Sequence, residues 1–300
     1  MPTMDEARAL IKQGQLGAAR TCLTALVRDE PGNQAARNAL FESLCFLGEF
    51  DRARKHLESL LVLGVSKNPI LDDKNAPQVG DLYHNAITAE CARNDFFTQG
   101  RVPEFLRNPP ENVRKRLEAS LEIRSGDITR AAACLQAAAE LETPLAPTMS
   151  GRSWPGFRDG DDLLGPILEF HAASGEYYWI ELERVRAIHP GPLRYWINTL
   201  WRPATLITEE GMLHGMIPAL YHGSARSNNE QIQLGRVTEW VGDPETLYRG
   251  MGQRLFLAGE DSVPVLSWEP LEFREGSPLT PSSETDDMTT DGGGSDASGT

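Results

Sequence analysis

Apolar positions near the start of the chain fall at helical spacing, and the same pattern then repeats. Ala7, Leu10, Gly14, Ala19, Leu23 and Leu26 stand opposite Phe41, Leu44, Gly48, Ala53, Leu57 and Leu60, an offset of 34 residues. Such spacings predict amphipathic helices, and the glycine inside each block predicts the end of the first helix of a pair. A degenerate third copy, Gly126-Asp127-Ile128-Thr129-Arg130-Ala131 with Leu135 following, begins 78 residues after the second, so the array is interrupted. Between the copies, Val65 to Gly80 carries Pro69, Asn75 and Pro77, which predict a turn-rich connection, and Asp81 to Phe97 returns to helical spacing through Leu82, Ala86, Ala89 and Ala92.

The offset is the period of tetratricopeptide helix pairs. Arrays of this kind bury one face against their neighbours and leave a groove along another, which points to binding of other proteins rather than catalysis. The competing reading is an ordinary helical bundle whose loops share glycine. On repeat geometry the first helix of each pair lines the groove, and its positions Arg8, Lys12, Asn38, Glu42 and Phe46 are expected to face a bound helix.

The pattern changes near Pro144 to Gly151, after an alanine-rich helix predicted over Ala131 to Ala139. All four cysteines precede this point and all six tryptophans follow it. Runs rich in β-branched and aromatic residues, Tyr177 to Ile180, Arg202 to Ile207, Gly215 to Tyr221 and Arg254 to Leu257, predict strands. Glycines separate them at intervals too short for crossover helices, so hairpins and a mostly antiparallel sheet are expected. A helix is predicted over Asp162 to Ala172 from Leu163, Leu164, Ile167, Leu168 and His171. The expected fold class is α+β: a tetratricopeptide-like helical domain over 1–146, then a mixed, mostly antiparallel β-rich domain with a few helices over 147–275. The remainder, 276–300, is Ser, Thr, Gly and Pro with five acids and no Lys or Arg, and is expected to be disordered.

Charge removes one class of partner. The formal net charge is −14, and −9 without the five acids of the tail. Nucleic-acid affinity rests on a basic surface, so nucleic acid is not an expected partner; Val113-Arg114-Lys115-Arg116 reads as a solvated helix face. Met1 to Glu6 has no basic region followed by an apolar stretch, and no run of eighteen apolar residues occurs, so neither a signal peptide nor a membrane span is expected. Cys22, Cys45, Cys91 and Cys134 are spaced by 23, 46 and 43 residues, which fits reduced thiols in a cytoplasmic protein better than a metal knuckle or a disulfide framework.

A search for chemistry returns near misses. No phosphate loop, zinc helix, nucleophile elbow or dinucleotide fingerprint occurs; no catalytic residue, metal or cofactor is expected. Asp159, Asp161 and Asp162 lack the spaced oxygens of a calcium loop, and Asp161 or Asp162 reads as a cap for the following helix. His214 and His222 would have to meet across a hairpin, with Glu209 or Glu210, to hold a metal. Gly250-Met251-Gly252 reads as a tight turn or a place where a backbone approaches a ligand.

Five segments in order carry a more specific signal: Trp154-Pro155-Gly156-Phe157-Arg158-Asp159-Gly160-Asp161-Asp162, Trp201-Arg202-Pro203-Ala204, Leu220-Tyr221-His222-Gly223-Ser224, Leu234-Gly235-Arg236-Val237-Thr238-Glu239-Trp240 and Arg249-Gly250-Met251-Gly252-Gln253-Arg254. Together with the helical array they resemble, over about residues 4 to 273, the ImpE family (also called TagJ or SciE-type) of type VI secretion accessory proteins. The resemblance implies a non-enzymatic cytoplasmic adaptor that binds the small contractile-sheath subunit (TssB), through a helix near that subunit's amino terminus, and links the sheath to disassembly by the ClpV ATPase. The rival partner surface is Arg236, Thr238, Glu239 and Trp240. These have a structural reading too, with Arg236 and Glu239 paired to each other or to Asp162 and Trp240 filling the core. The sequence leaves a general scaffold or co-chaperone, and an enzyme with its site in the C-terminal domain, as alternatives, and leaves the oligomeric state open.

Overall fold

The structure is a computed structural model, and it describes residues 2–62 and 76–273. The turn-rich reading of Val65 to Gly80 lies outside the described residues up to Asn75 and is corrected beyond it, since the helix Ala76–Gln99 already runs through Pro77 and Gly80, a proline being tolerated in a first helical turn. The acidic tail also lies outside the described residues. Helices α1 (Met4–Gln13), α2 (Leu16–Asp29), α3 (Gln34–Phe46) and α4 (Phe50–Val62) form the two pairs that the repeat predicts. Local chemistry sets their ends. Thr3 Oγ1 accepts the Glu6 N–H at 3.2 Å and Asn33 Oδ1 accepts the Ala36 N–H at 3.0 Å, both satisfying helix N-terminal donors. Gly14 closes α1 at φ 79°, a left-handed conformation that costs glycine nothing, and its N–H reaches Ile11 O at 3.0 Å. Ala7, Ala19 and Ala53 are fully buried, which lets the helix axes approach. The long α5 (Ala76–Gln99) follows, then the hairpin of α6 (Glu111–Ser125) and α7 (Ile128–Ala139), which is the third repeat copy.

The chain then turns to strands: β1 (Thr148–Met149), β2 (Arg152–Ser153), β3 (Arg158–Asp159), β4 (Ile167–Ala172), β5 (Tyr177–Glu181), β6 (Val185–Pro190), β7 (Trp201–Thr208) and β8 (Met212–Pro218), then a single helical turn, α8 (Glu230–Gln233), and β9 (Thr238–Asp243), β10 (Leu247–Gly252), β11 (Leu255–Ala258), β12 (Asp261–Pro264) and β13 (Leu271–Glu272). An eight-stranded sheet runs in the order β2-β1-β13-β6-β7-β8-β4-β5, every pairing antiparallel. β12, β11 and β3 make a second sheet, and β9 and β10 a two-stranded hairpin.

Several expectations need correction. Val113 to Arg116 is no solvated face: Val113 and Arg116 are buried, and the Arg116 guanidinium donates to Leu163 O at 2.9 Å. Ile167 to Ala172 is strand β4, not part of a helix: all six residues are buried between β5 and β8, and a short run buried on both faces has no periodicity to separate strand from helix. Asp161 caps a turn instead, its Oδ1 accepting the Leu163 N–H at 3.0 Å. The strand expected over Gly215 to Tyr221 begins earlier, at Met212, and ends at Pro218.

Apolar packing runs across the predicted boundary at 146/147. One cluster joins Leu23, Leu40, Phe41, Leu44 and Leu57 of the array to Ile197, Trp201 and Met216; another joins Ala89 and Phe96 of α5 to Leu164, Tyr177 and Trp179. The sheet is laid along α5, and the 3-10 turn just before β7 meets α3.

Candidate functional site

The face of the array expected to receive a partner is the place to begin. Residues Trp196–Thr199 form a 3-10 turn between β6 and β7, and this turn sits on α3. The Trp196 ring stacks on Phe46 with centroids 4.7 Å apart and planes 17° from parallel. The Ile197 N–H points to Glu42 Oε1 at 3.5 Å, and Asn198 Nδ2 donates to Tyr83 Oη at 3.1 Å. Asn38, Glu42 and Phe46 are thereby 5%, 6% and 1% exposed. Burial pushes the Glu42 carboxyl up to about 8, an effect the Ile197 and Asn38 contacts only partly offset. Arg8 and Lys12 stay exposed. The turn thus meets Glu42 and Phe46 directly, Asn38 is buried beside Glu42, and Arg8 and Lys12 are left in solvent. Repeat geometry counts helices, and could not foresee a β-domain turn filling the groove.

Arg236, Thr238, Glu239 and Trp240 divide in the same way. Arg236 pairs with neither Glu239 nor Asp162; its guanidinium donates to Ile11 O at 2.7 Å and Lys12 O at 3.1 Å, capping the carbonyl end of α1, where a cation meets the helix dipole favourably. Beside it, the Gly17 N–H at the start of α2 donates to Glu230 Oε1 at 2.7 Å. Thr238 Oγ1 donates to Gln253 O at 2.7 Å, and Glu239 is exposed and accepts from Asn229 Nδ2 at 3.4 Å. Trp240 stacks on Tyr248 at 5.3 Å and leans on Tyr221 at 5.8 Å. It is packing, with its outer edge partly exposed.

Behind these surfaces four of the five sequence segments, all but Leu234 to Trp240, converge on buried charge. Arg93 of α5 forks onto Glu169 of β4 with two bonds of 2.8 Å, and reaches Glu90 at 3.1 Å and Leu220 O at 3.0 Å. Arg254 lies 3.2 Å from Glu169 Oε2, an oxygen Arg93 also bonds, and donates to Asp159 Oδ2 at 3.0 and 2.5 Å. Asp159, Glu169 and Arg254 are completely buried. Tyr177 Oη donates to Glu169 at 2.5 Å, Trp201 Nε1 to Glu90 at 3.0 Å, and Tyr221 Oη to Asp159 at 2.9 Å. Asp161 accepts from Arg249 Nε at 2.7 Å and from the Gly250 N–H at 3.0 Å. The backbone at Gly250 comes so close that a Cβ would stand 2.2 Å from the Tyr221 ring.

Electrostatics follow from this arrangement. Burial raises the Glu169 carboxyl, but Arg93 and Arg254 outweigh it and hold it at about 2. Burial pulls His171 down to about 4, and His222, stacked on Phe97 at 4.3 Å, down to about 3; both rings are neutral in the fold. Each acid at the centre already takes hydrogen bonds from a guanidinium, a tyrosine or an indole, so none is poised to move a proton to or from a substrate. The near misses are accounted for in the same way. Asp162 Oδ2 accepts the Tyr248 N–H at 2.7 Å; His214 lies on β8 against Thr205, away from His222 on Phe97; Glu209 and Glu210 pair with Arg107 and Arg184. Among the described residues no group of three His, Cys, Asp or Glu stands ready for a metal ion, and no helix is long and apolar enough to cross a membrane.

Sequence reasoning missed Glu90, Arg93, Glu169 and His171. A signal was present: Glu90 and Arg93 interrupt the apolar stripe of α5, and Glu169 and His171 interrupt an apolar run, places where a charge must have a buried partner.

The geometry defines a class first: a tetratricopeptide-type helical array whose inner face is closed by an antiparallel β domain, the two joined by a lattice of buried ion pairs. Residues 5–62 match the family model described as tetratricopeptide repeat, and residues 151–272 match that of the ImpE protein. The chain thus matches the ImpE model over its β-rich part. It is 28% identical over 274 residues to the type VI secretion system accessory component TagJ of Pseudomonas aeruginosa, covering 89% of this chain and 90% of that protein. A crystal structure of a Vibrio parahaemolyticus protein shares the fold, with a TM-score of 0.79 at 22% identity over 90% of this chain and 98% of that one.

Proposed function

We propose that this protein is a non-enzymatic accessory component of a bacterial type VI secretion system, acting in the cytoplasm as an adaptor that binds the small sheath subunit TssB and thereby modulates sheath assembly or its disassembly by ClpV. The observation that carries the reading is likeness to TagJ over nearly the whole of both chains, array and ImpE domain together. The buried lattice supports it from the chemical side, because the residues of the ordered segments brace the fold and offer no acid–base pair to a substrate. This reading puts the partner helix against α1, where Arg8 and Lys12 are exposed, because the turn at Trp196 already meets Glu42 and Phe46. Titration calorimetry of the full chain with a peptide spanning the amino-terminal helix of the cognate TssB tests this. Saturable binding with a Kd of about 1 μM, roughly 8 kcal/mol, is expected, absent for a scrambled peptide. A folded protein that gives no heat with this peptide at high micromolar concentration sinks the sheath-helix reading.

A further inference from the structure

The hairpin of β9 and β10 is built asymmetrically. The outer side of β10 is saturated: the Asp162 N–H donates to Tyr248 O at 3.0 Å, the Tyr221 N–H to Gly252 O at 2.9 Å, and the Gly252 N–H to Ser224 Oγ at 2.8 Å. β9 pairs with β10 alone and has no second strand neighbour among the described residues, which leaves six residues of edge. This edge is held rigid from behind, since Trp240 is stacked on Tyr248 and packed over Gly160. One face of β9 carries, at every second position, Glu239, Val241 and Asp243, with Val237 just ahead of the strand extending the alternation of apolar and acidic residues. Val237 is 40% and Val241 55% exposed, and both acids are exposed with Glu245 beyond them in the turn. Natural sheet edges are commonly protected by lysine or by an inward-pointing charge; this one offers two valines between carboxylates.

We propose that β9 is a docking edge for an extended segment of a partner protein, which adds as a third strand and presents apolar and basic side chains in alternation to this face. The main-chain ladder supplies affinity, and the Val/Glu/Val/Asp face supplies register and selectivity. Charge excludes a second copy of this chain as occupant: an antiparallel pair of β9 strands would bring four such acids and both Glu245 side chains together with no base between them. The occupant is a strand, so this edge is separate from the helix-binding reading above, and each can fail without the other.

The test uses the full chain and the octapeptide acetyl-Val-Thr-Lys-Thr-Val-Thr-Lys-Thr-amide, followed by fluorescence anisotropy and by amide hydrogen exchange. Saturable binding that slows exchange across 237–243 is expected. Methylating alternate peptide nitrogens should abolish it with no change to the protein. Glu239→Lys/Asp243→Lys, checked for an unchanged melt, should bind the peptide about fivefold more weakly, as loss of two cross-strand charge pairs implies, and should now accept the version with glutamate in place of lysine. No binding, protection elsewhere, indifference to N-methylation, or a doubled sedimentation mass with 237–243 protected in the absence of peptide would each overturn the proposal, the last in favour of self-pairing.

Discussion

Arg254 is fully buried and touches two buried carboxylates, Asp159 and Glu169, so its removal leaves uncompensated charge in the interior. Breaking a buried pair from one side typically costs about 3–5 kcal/mol. Arg254→Leu should therefore lower the melting temperature by roughly 10 °C in a calorimetric scan, at about 2–4 °C per kcal/mol for a chain of this order of size. Arg254→Lys should recover only part of that, because an ammonium cannot fork to both acids. Glu42 gives a prediction of opposite character. Its carboxyl is raised from 4.5 to about 8 in the fold, so the stability it contributes is full below about 4.5 and is lost as pH rises through 8. Glu42→Gln should accordingly gain stability relative to the parent between pH 5 and 8, read from denaturant midpoints at successive pH values. His171 and His222 act at the other end: their folded values lie below the ordinary 6.5, so both chains should weaken together as pH falls from 6.5 towards 4.

Helix pairs were legible before the structure because their signal is local and repeated. Gly14 and Gly48 end the first helix of each pair, and the buried alanines sit where the 34-residue offset puts them. β4 was not legible, since six consecutive buried positions erase the alternation that marks a strand. The covering of Asn38, Glu42 and Phe46 was not legible either: a polar or aromatic residue on the open side of an array looks the same whether a partner or the chain's own turn will meet it. That distinction can be measured at the level of elements. Phe46→Ala should cost about 3–5 kcal/mol of stability, the usual range for a buried Phe, and leave the affinity of the folded protein for the TssB helix unchanged. Arg8→Glu/Lys12→Glu should do the reverse, weakening the helix peptide while the melt stays within about 4 °C, since each exposed substitution moves stability by only about ±0.5 kcal/mol, at about 2–4 °C per kcal/mol. If Phe46→Ala alone abolished peptide binding in a protein shown to be folded, α3 and not α1 would be the contact.

At the scale of the molecule, three of the apolar clusters and the ion-pair lattice use residues from both sides of position 147. A fragment of residues 1–146 would carry Phe46, Tyr83 and Arg93 without Trp196, Asn198 and Glu169. Its circular dichroism should show helix without a cooperative melt, while the full chain unfolds in a single transition; a fragment melting cooperatively near the parent temperature would mean that the array is self-sufficient. The stacking of Trp196 on Phe46 also sets an order in time. Phe46 leaves the ribosome about 150 residues before Trp196, and at roughly 5–20 residues per second that is about 8–30 s. Throughout that interval the nascent chain presents an uncovered apolar face. The growing polypeptide is then a natural client for chaperones that shield such faces, and the yield of native protein depends on how quickly translation reaches the segment that covers it.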